Sequence, residues 1–265
     1  MKSDICQLLA PSALINHELT ATAALDYILS ILGPLGEGSL VSLELFCITL
    51  LLSIPLGVVL ALMRLSRHRW LGFGVSGYLW LMRGTPLMLQ LLFIYYALPL
   101  LPGGGIQLPD FPAAVVAFAL NYAAYFAEIF RAGIQSIGRG QYEAAVSAGL
   151  TPFQAFRHVI LGQAALVALP NFGNATINLL KEGSLAYTIG LIDMIGKGNL
   201  IIAQNFGAYG IEVYLAALLI YWGLVLLLEQ VFALVEKHLD VGTGLRAADT
   251  KEATGRGGDT VGTGS

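Results

Sequence analysis

The stretch "QYEAAVSAGLTPFQAFRHVIL" (residues 141–161) lies between long apolar runs of a 265-residue chain that is 56% hydrophobic and 12% charged. It carries two glutamines, Glu143, Arg157 and His158, although a connector between two apolar segments could be shorter and less polar. Soluble domains average about 25% charged residues, so this chain has too little charge to cover a water-facing surface. The composition therefore predicts an all-α membrane protein in which this stretch forms a surface outside the bilayer.

Apolar residues recur with helical spacing in the quoted stretch. One apolar face of a helix would contain Tyr142, Ala145, Val146, Gly149 and Leu150, and a second would contain Phe153, Phe156 and Ile160. Gly149 and Leu150 end the first helix, and Thr151-Pro152 followed by Gln154 is a capping-box pattern that starts another. The pattern predicts two short helices joined by a turn. They form either a hairpin packed on its own bundle or a docking surface for another protein.

Five segments are long and apolar enough to cross a bilayer, which takes about 20 residues of helix. They are residues 40–63, 85–101, 111–134, 164–185 and 211–235. Thr85-Pro86 is predicted to cap the second span. Residues 70–82, just before it, form either an interfacial helix or the first half of one kinked span. Residues 19–35, interrupted by Gly33 and Pro34, are predicted to lie as an amphipathic segment on the outer interface.

The same reading divides the chain into three parts. Residues 1–38 are expected to form an N-terminal extracytoplasmic or interfacial segment, and residues 39–240 the transmembrane domain, with a loop at about 136–163. Residues 241–265 are rich in Gly, Thr and Asp and have almost no large apolar side chains, which is typical of a disordered tail.

The distribution of Lys and Arg predicts how the bundle is oriented. The ends of the first, third and fifth spans collect Arg64, Arg67, Arg69, Arg131, Arg139, Arg157 and Lys237. The opposite loops, residues 102–110 and 186–210, contain Lys197 alone. Because cytoplasmic loops carry the excess of basic residues, we expect an external N-terminus, a cytoplasmic C-terminus and a cytoplasmic 141–161 stretch.

Several ordered motifs resemble one family of membrane transporters. Glu143-Ala144-Ala145, then Gly149, then Ile160-Leu161 resembles the EAA loop of ABC-importer permeases, with Gly162 where that family usually has proline. Three longer stretches resemble the polar amino acid branch of the histidine and glutamine type: residues 79–99, 122–145 and 179–191. In the last of these, Glu182 and Gly183 replace the usual middle pair. The likeness covers roughly residues 28–239.

The resemblance implies a five-transmembrane-helix ABC importer permease with cytoplasmic coupling helices, in a bacterial inner membrane. It implies four partners besides the lipid bilayer: a cytoplasmic ATPase dimer, a second identical or paralogous permease, an extracytoplasmic solute-binding protein and an amino acid substrate. The residues it assigns to ATPase coupling are Glu143, Ala144, Ala145, Gly149 and Phe153.

Other classes of function have less support in the sequence. The chain has no G-x-x-x-x-G-K-[ST] stretch, so ATP is expected to be bound by a partner subunit. Its two cysteines have no metal-type spacing. We expect no cofactor, no metal site, no nucleic acid partner and no enzymatic activity. The alternative that stays open is a secondary transporter or channel for small polar solutes.

Ionisable and amide side chains inside the predicted spans are the candidates for the substrate pathway, because burying them in a membrane is costly. One stripe on the fourth span collects Asn171, Asn174, Asn178 and Lys181, and one on the third collects Asn121, Tyr125 and Glu128. The candidate pathway residues are Lys181, Glu128, Asn121, Asn174, Asn178 and Ser184. Lys181 would meet the carboxylate of a zwitterionic substrate, and Glu128 its ammonium group.

Structural roles for the same residues remain open. Glu128 is spaced to pair with Arg131, and Lys181 to pair with Glu182 or a partner subunit. The asparagines have the alternative of joining helices by hydrogen bonds. Arg83 either guards a cytoplasmic gate or extends to the membrane interface.

Overall fold

The computed structural model describes residues 21–102 and 105–243, and every regular element in these residues is helical. In chain order the helices are α1 (Ala21–Leu65), α2 (Arg69–Gly84), α3 (Leu87–Leu100), α4 (Asp110–Ser136), α5 (Arg139–Ser147), α6 (Pro152–Ile189), α7 (Met194–Gln204) and α8 (Gly210–Thr243). Two of them change pitch. α3 contains a π-helical turn at Phe93–Ala97, and α6 contains one at Phe156–Ile160.

By length and composition, α1, α4 and α8 are each able to cross a membrane. The bent pairs α2–α3 and α6–α7 bring the number of spans in the described residues to five if each pair counts as one. This agrees with the five-span fold predicted from the sequence. α4 is the central helix. In its most apolar stretch 67% of the residues are buried, against 28% for α1 and 17% for α8.

Small side chains allow the other helices to approach α4 closely. A Cβ atom added to Gly57 of α1 would lie 2.8 Å from the Cβ atom of Phe126 and 3.2 Å from the carbonyl oxygen of Ala123. On the α6 side, the rings of Phe126 and Phe172 have centroids 4.9 Å apart. Close backbone contact of this kind is how helices gain packing energy where lipid removes the hydrophobic driving force.

The interruption predicted at Gly33 and Pro34 is wrong, whereas the interfacial position predicted for residues 19–35 stays a prediction. α1 continues without a break through Gly33 and Pro34. Ile31 and Leu35 are buried against α7 and α8, and this long-range packing supports the helix where the local sequence is poor in helix formers. Residues 1–20 and the predicted tail from residue 244 onward lie outside the described residues.

α2 and α3 meet at a bend of 103°. α2 packs against α1 and α4, with Val75 and Leu79 buried and Trp70 exposed, and a bend of this size is compatible with both predicted alternatives, an interfacial helix or the first half of one kinked span. The prediction that Thr85 caps α3 is wrong. Its hydroxyl donates back to the carbonyl oxygen of Leu81 at 2.8 Å, so Thr85 ends α2.

Two amide side chains satisfy the backbone at this bend. The Asn121 amide nitrogen donates to the Met82 carbonyl oxygen at 2.9 Å and to Gln90 Oε1 at 3.0 Å. The Gln90 amide nitrogen donates to the same Met82 carbonyl at 2.9 Å and to Thr85 Oγ1 at 2.7 Å. The last carbonyls of a helix have no intrahelical donor, and a bilayer supplies no water to replace it. Asn121, only 2% exposed, therefore holds the bend.

We expect Asn121→Ala to destabilise the protein, because it leaves the Met82 carbonyl and Gln90 with fewer buried hydrogen bonds. A buried polar group that loses its partner costs about 1–3 kcal/mol. The measurement is the midpoint of thermal unfolding in detergent. The matched control is Asn171→Ala, which removes the same amide from an exposed position on α6. Equal midpoints for the two variants would contradict the role of Asn121 at the bend.

Candidate functional site

An exposed segment connects the ends of α4 and α6, and we call residues 139–160 the EAA segment. α5 ends in a left-handed turn, in which Gly149 has φ +93°. The Gly149 amide donates to the Val146 carbonyl at 2.9 Å, and the Leu150 amide donates to the Ala145 carbonyl at 3.2 Å. This is the Schellman pattern of hydrogen bonds. The predicted end of the first helix at Gly149 and Leu150 is confirmed.

The capping box predicted at Thr151 is also present. The Gln154 backbone amide donates to Thr151 Oγ1 at 3.3 Å, and the Thr151 backbone amide donates to Gln154 Oε1 at 2.9 Å. The turn between α5 and α6 is therefore closed by side-chain and backbone bonds on both sides.

The second of the two predicted short helices is not a separate element. α6 begins at Pro152 and runs through Gly162 to Ile189, changing pitch but not breaking. Glycine at position 162 keeps the backbone N–H that a proline would lack, so nothing forces an interruption there. As a result, the outer part of the EAA segment and the membrane helix α6 form one rod.

The five residues assigned to coupling divide by exposure. Glu143, Ala144, Gly149 and Phe153 are exposed, and the Phe153 side chain is 69% exposed. Ala145 is buried and anchors α5 against the start of α6. A cavity of about 430 Å³ lies between α5 and the start of α6, with Tyr142 and Glu143 on one side and Phe156 and Ile160 on the other. The EAA segment thus presents both apolar and acidic groups to its surroundings.

The polar stripe of α6 is exposed along its whole length. Asn171, Asn174, Asn178 and Lys181 all lie on the open face of the helix. Ser184 is half-buried, and its hydroxyl donates to the Lys181 carbonyl at 2.8 Å. Among the described residues Lys181 forms no ion pair, so the predicted alternative of a Lys181–Glu182 pair is wrong.

Glu182 is fixed instead by α4. The Tyr122 hydroxyl donates to Glu182 Oε2 at 2.8 Å. The carboxylate stays exposed next to Lys181, so an anion and a cation stand side by side on one helical turn. Sequence reasoning did not place Glu182 among the pathway candidates. Its departure from the usual motif was the signal that could have found it.

Glu128 lies in a different environment from Lys181. Its carboxylate contacts Arg64 at 2.6 Å, pairs with Arg131, and is 3.9 Å from Arg83. The pairing with Arg131 is the structural alternative raised by the sequence. Tyr122 marks where Glu182 meets α4. Glu128 is six residues further along α4, roughly 9 Å away, so the two carboxylates are well separated along the helix.

Asn121 is also removed from the exposed stripe. It is buried, and both of its donor contacts hold the α2–α3 bend. Position on a helical stripe does not distinguish an amide that lines a pathway from one that joins helices, because both point away from lipid. The structure brings together Lys181, Glu182, Asn178 and Ser184, and it leaves Glu128 and Asn121 apart from them.

Comparison with known proteins identifies the class of this fold. Residues 53–241 match the family described as "Binding-protein-dependent transport system inner membrane component". The chain is 40% identical over 203 residues to the L-cystine transport system permease protein TcyL of Bacillus subtilis (strain 168), covering 75% of this chain and 84% of TcyL. It is 38% identical over 215 residues to PatM of Vibrio harveyi, a probable amino-acid ABC transporter permease, covering 81% and 96%.

A solved structure shows the same arrangement of helices. A crystal structure of an amino acid ABC transporter with histidines has a TM-score of 0.73 and 33% sequence identity, covering 80% of this chain and 97% of the other. The EAA segment, the five-span bundle and the sequence relatives therefore agree. The chain belongs to the family of binding-protein-dependent transport system inner membrane components and is a multi-pass transport component of the inner membrane.

Proposed function

We propose that this chain is the amino-acid-conducting permease of an ATP-driven importer, and that the EAA segment receives force from a separate ATPase. The observation that carries this proposal is the exposed, doubly capped EAA segment at the end of the bundle. Three of its apolar side chains, Tyr142, Val146 and Phe153, are exposed rather than packed on the helices that the structure describes. Membership of a binding-protein-dependent family favours this proposal over a secondary transporter or channel.

The continuity of α6 gives a route from the EAA segment to the substrate pathway. The helix carries Phe153 near its start and Lys181 near its other end, with no break between them. A push on the EAA segment therefore moves the polar stripe as well. The pitch of α6 changes at the π turn at Phe156–Ile160 and again at the 3-10 turns of Gly183–Ile189.

The open stripe needs a second surface to enclose it. A row of exposed amides, one cation and one carboxylate is costly against lipid, so we propose that a second permease subunit covers it and closes a polar pathway. A solute-binding protein would deliver the substrate from outside. Whether the second subunit is identical or a paralogue does not alter this arrangement.

The substrate class follows from chemistry and from the relatives. TcyL is named for cystine, and the solved relative contains histidines; both molecules carry an α-ammonium and an α-carboxylate group. We assign Lys181 to the carboxylate. Glu182, which is exposed and held by Tyr122, is better placed than Glu128 to meet the ammonium group. Asn174, Asn178 and Ser184 would complete the polar lining.

The overall experiment is transport-coupled ATP hydrolysis. The tagged chain is purified from membranes with its associated subunits and reconstituted in liposomes. A panel of amino acids with binding protein is then tested for stimulation of ATP hydrolysis and for uptake. Uptake that proceeds without ATP would contradict the importer mechanism.

Orientation can be tested by cysteine labelling. In a background with Cys6→Ser and Cys47→Ser, we expect Ile106→Cys to react with an impermeant reagent in spheroplasts and Gln154→Cys to react only after permeabilisation. The reason is the placement of basic residues at the EAA end of the bundle. Labelling of position 154 alone from outside would reverse the proposed orientation.

We expect Lys181→Met to weaken substrate-dependent transport while the complex still assembles. Losing a hydrogen bond to a charged group costs about 1.5–3 kcal/mol, which corresponds to roughly a 10- to 100-fold higher substrate concentration for half-maximal uptake. The control is Lys237→Met, which removes the same charge from an exposed position near the end of α8. Uptake kinetics unchanged by Lys181→Met would remove this residue from the pathway.

Coupling can be separated from folding at Gly149. A Cβ atom at this position enters open space, but φ +93° strains any side chain by roughly 1–2 kcal/mol. Gly149→Ala therefore measures the strain alone, and Gly149→Trp adds bulk at the proposed docking surface. We expect the Trp variant to lose bound ATPase, or to hydrolyse ATP without uptake, and the Ala variant to keep most of its activity.

Glu143→Lys supplies a second variant with no backbone strain, because Glu143 is an exposed helical residue. Bound ATPase, ATP turnover and uptake are measured on each preparation. If Gly149→Trp and Glu143→Lys both transport as well as Gly149→Ala, the EAA segment does not dock the ATPase.

A further inference from the structure

A small polar cavity lies where the end of α1, the helix α2 and the lower part of α4 meet. Its volume is about 360 Å³, and its polar lining consists of Arg64, Ser76, Trp80, Arg83 and Glu128. Ser76, Trp80 and Arg83 follow one another at intervals of four and three residues, so they share one face of α2. None of these side chains belongs to the EAA segment or to the polar stripe of α6.

The cavity carries surplus positive charge. The Glu128 carboxylate is shared by three guanidinium groups, those of Arg64, Arg131 and Arg83. Arg131 does not line the cavity, so the lining itself has two guanidinium groups and one carboxylate, a surplus of one positive charge, and Arg131 adds a second just outside it. Arg83 is the most loosely held, because it is 3.9 Å from Glu128 and its side chain is 41% exposed. Its guanidinium carbon lies 5.6 Å from the centre of the Tyr125 ring.

The helix that carries the cavity has the features of a membrane-interface helix. α2 turns by 103° from the line of α3, and it exposes Trp70, Phe73 and Trp80 at 89%, 82% and 78%. Exposed tryptophans of this kind are typical of the boundary between headgroups and acyl chains. Arg64 is one residue from the end of α1, so the cavity lies near the end of that span.

We propose that this cavity binds the phosphate group of an anionic phospholipid. Arg83 and Arg64 donate to the phosphate oxygens, the Ser76 hydroxyl adds a neutral hydrogen bond, and Trp80 borders the headgroup. A basic pocket between membrane helices suits this ligand, and the anionic lipids of the cytoplasmic leaflet supply it. The choice of leaflet rests on the orientation given under the proposed function, whereas the charge and shape of the cavity do not.

A lipid fits these observations better than a dissolved anion does. A free phosphate would contact the same guanidinium groups, but it has no apolar part to contact the large, exposed aromatic side chains of α2. The phosphate of a phospholipid is delivered to that depth by the bilayer itself. The two sources share one chemistry, and they can be distinguished by competition.

The test is lipid binding to the full-length chain, purified in a mild detergent and observed by native mass spectrometry. Phosphatidylglycerol is the probe, and phosphatidylethanolamine, which has no net charge, is the comparison lipid. We expect Arg83→Gln to weaken phosphatidylglycerol binding roughly fivefold, the effect of one basic residue near an anionic surface. Arg83→Lys keeps the charge and is expected to retain most of the binding.

Arg157→Gln is the matched control, because it removes the same charge from an exposed position on α6 far along the chain from the cavity. Ser76→Ala gives a second reading that leaves every ion pair in place, and we expect a smaller loss of phosphatidylglycerol binding. The thermal unfolding midpoint of each variant shows whether the fold is intact.

Three results would overturn the proposal. The first is equal binding of the two lipids, and the second is the same loss of phosphatidylglycerol for Arg83→Gln and Arg157→Gln. The third is displacement of phosphatidylglycerol by millimolar inorganic phosphate, which would assign the cavity to a dissolved anion. The transport and coupling tests do not depend on this measurement, so either proposal can fail while the other stands.

Discussion

The need to satisfy backbone groups without water decides how this bundle is built. A chain that bends by 103° within a membrane protein leaves carbonyls with no helical donor, and each one left unsatisfied is costly. Asn121 of the central helix and Gln90 of α3 supply those donors, and both converge on the Met82 carbonyl. Because α2 is held there, its apolar side packs across α1 and α4. The basic cavity and the exposed tryptophans then lie where they do as a consequence of that one hydrogen-bonded bend.

The second half of the EAA segment and the polar stripe belong to one continuous helix, α6, which has a π turn at Phe156–Ile160 and Pro170 in its interior. The Schellman turn at Gly149 and the capping box at Thr151 close the turn, and α6 continues from it to Ile189. Under the proposed coupling role, a force on the start of α6 would reach Lys181 and Glu182 through helix rather than through loop. The same proposal accounts for the length of the EAA segment, because a flexible link in its place would absorb such a displacement before it reached the polar side chains.

The sequence was sufficient to predict features that depend on local pattern or on composition. The three long spans, the turn at Gly149 and the cap at Thr151 are set by residues close together in the chain. Long-range packing decided the rest. α1 continues through Gly33 and Pro34 because Ile31 and Leu35 pack on helices that are distant in the chain. Thr85 ends α2 because its hydroxyl donates to the Leu81 carbonyl oxygen and accepts from the Gln90 amide. Helical periodicity places Asn121, Glu128 and Lys181 on polar stripes, but it does not show which neighbour each side chain contacts. It does not identify Glu182 either, because the partner of Glu182, Tyr122, lies sixty residues away in the chain.

The length of α1 has a consequence for the shape of the protein outside the membrane. From Tyr27 to Leu65 it is a helix of 39 residues, about 58 Å long, whereas the hydrocarbon core of a bilayer is about 30 Å thick. Even a tilt of 40°, the upper end of the usual range, leaves a rise of about 45 Å. Glu37 pairs with Lys197 of α7 at 3.0 Å, and the distance along the helix from Glu37 to Arg64 is roughly 40 Å, the thickness of a bilayer with its headgroups. The turns of α1 before Glu37 therefore extend beyond the length that one bilayer takes up, and Tyr27, near the far end of these turns, stacks on Tyr209. A protein that binds at this end of the bundle would meet a helical rim, formed where α1 packs on α7 and α8.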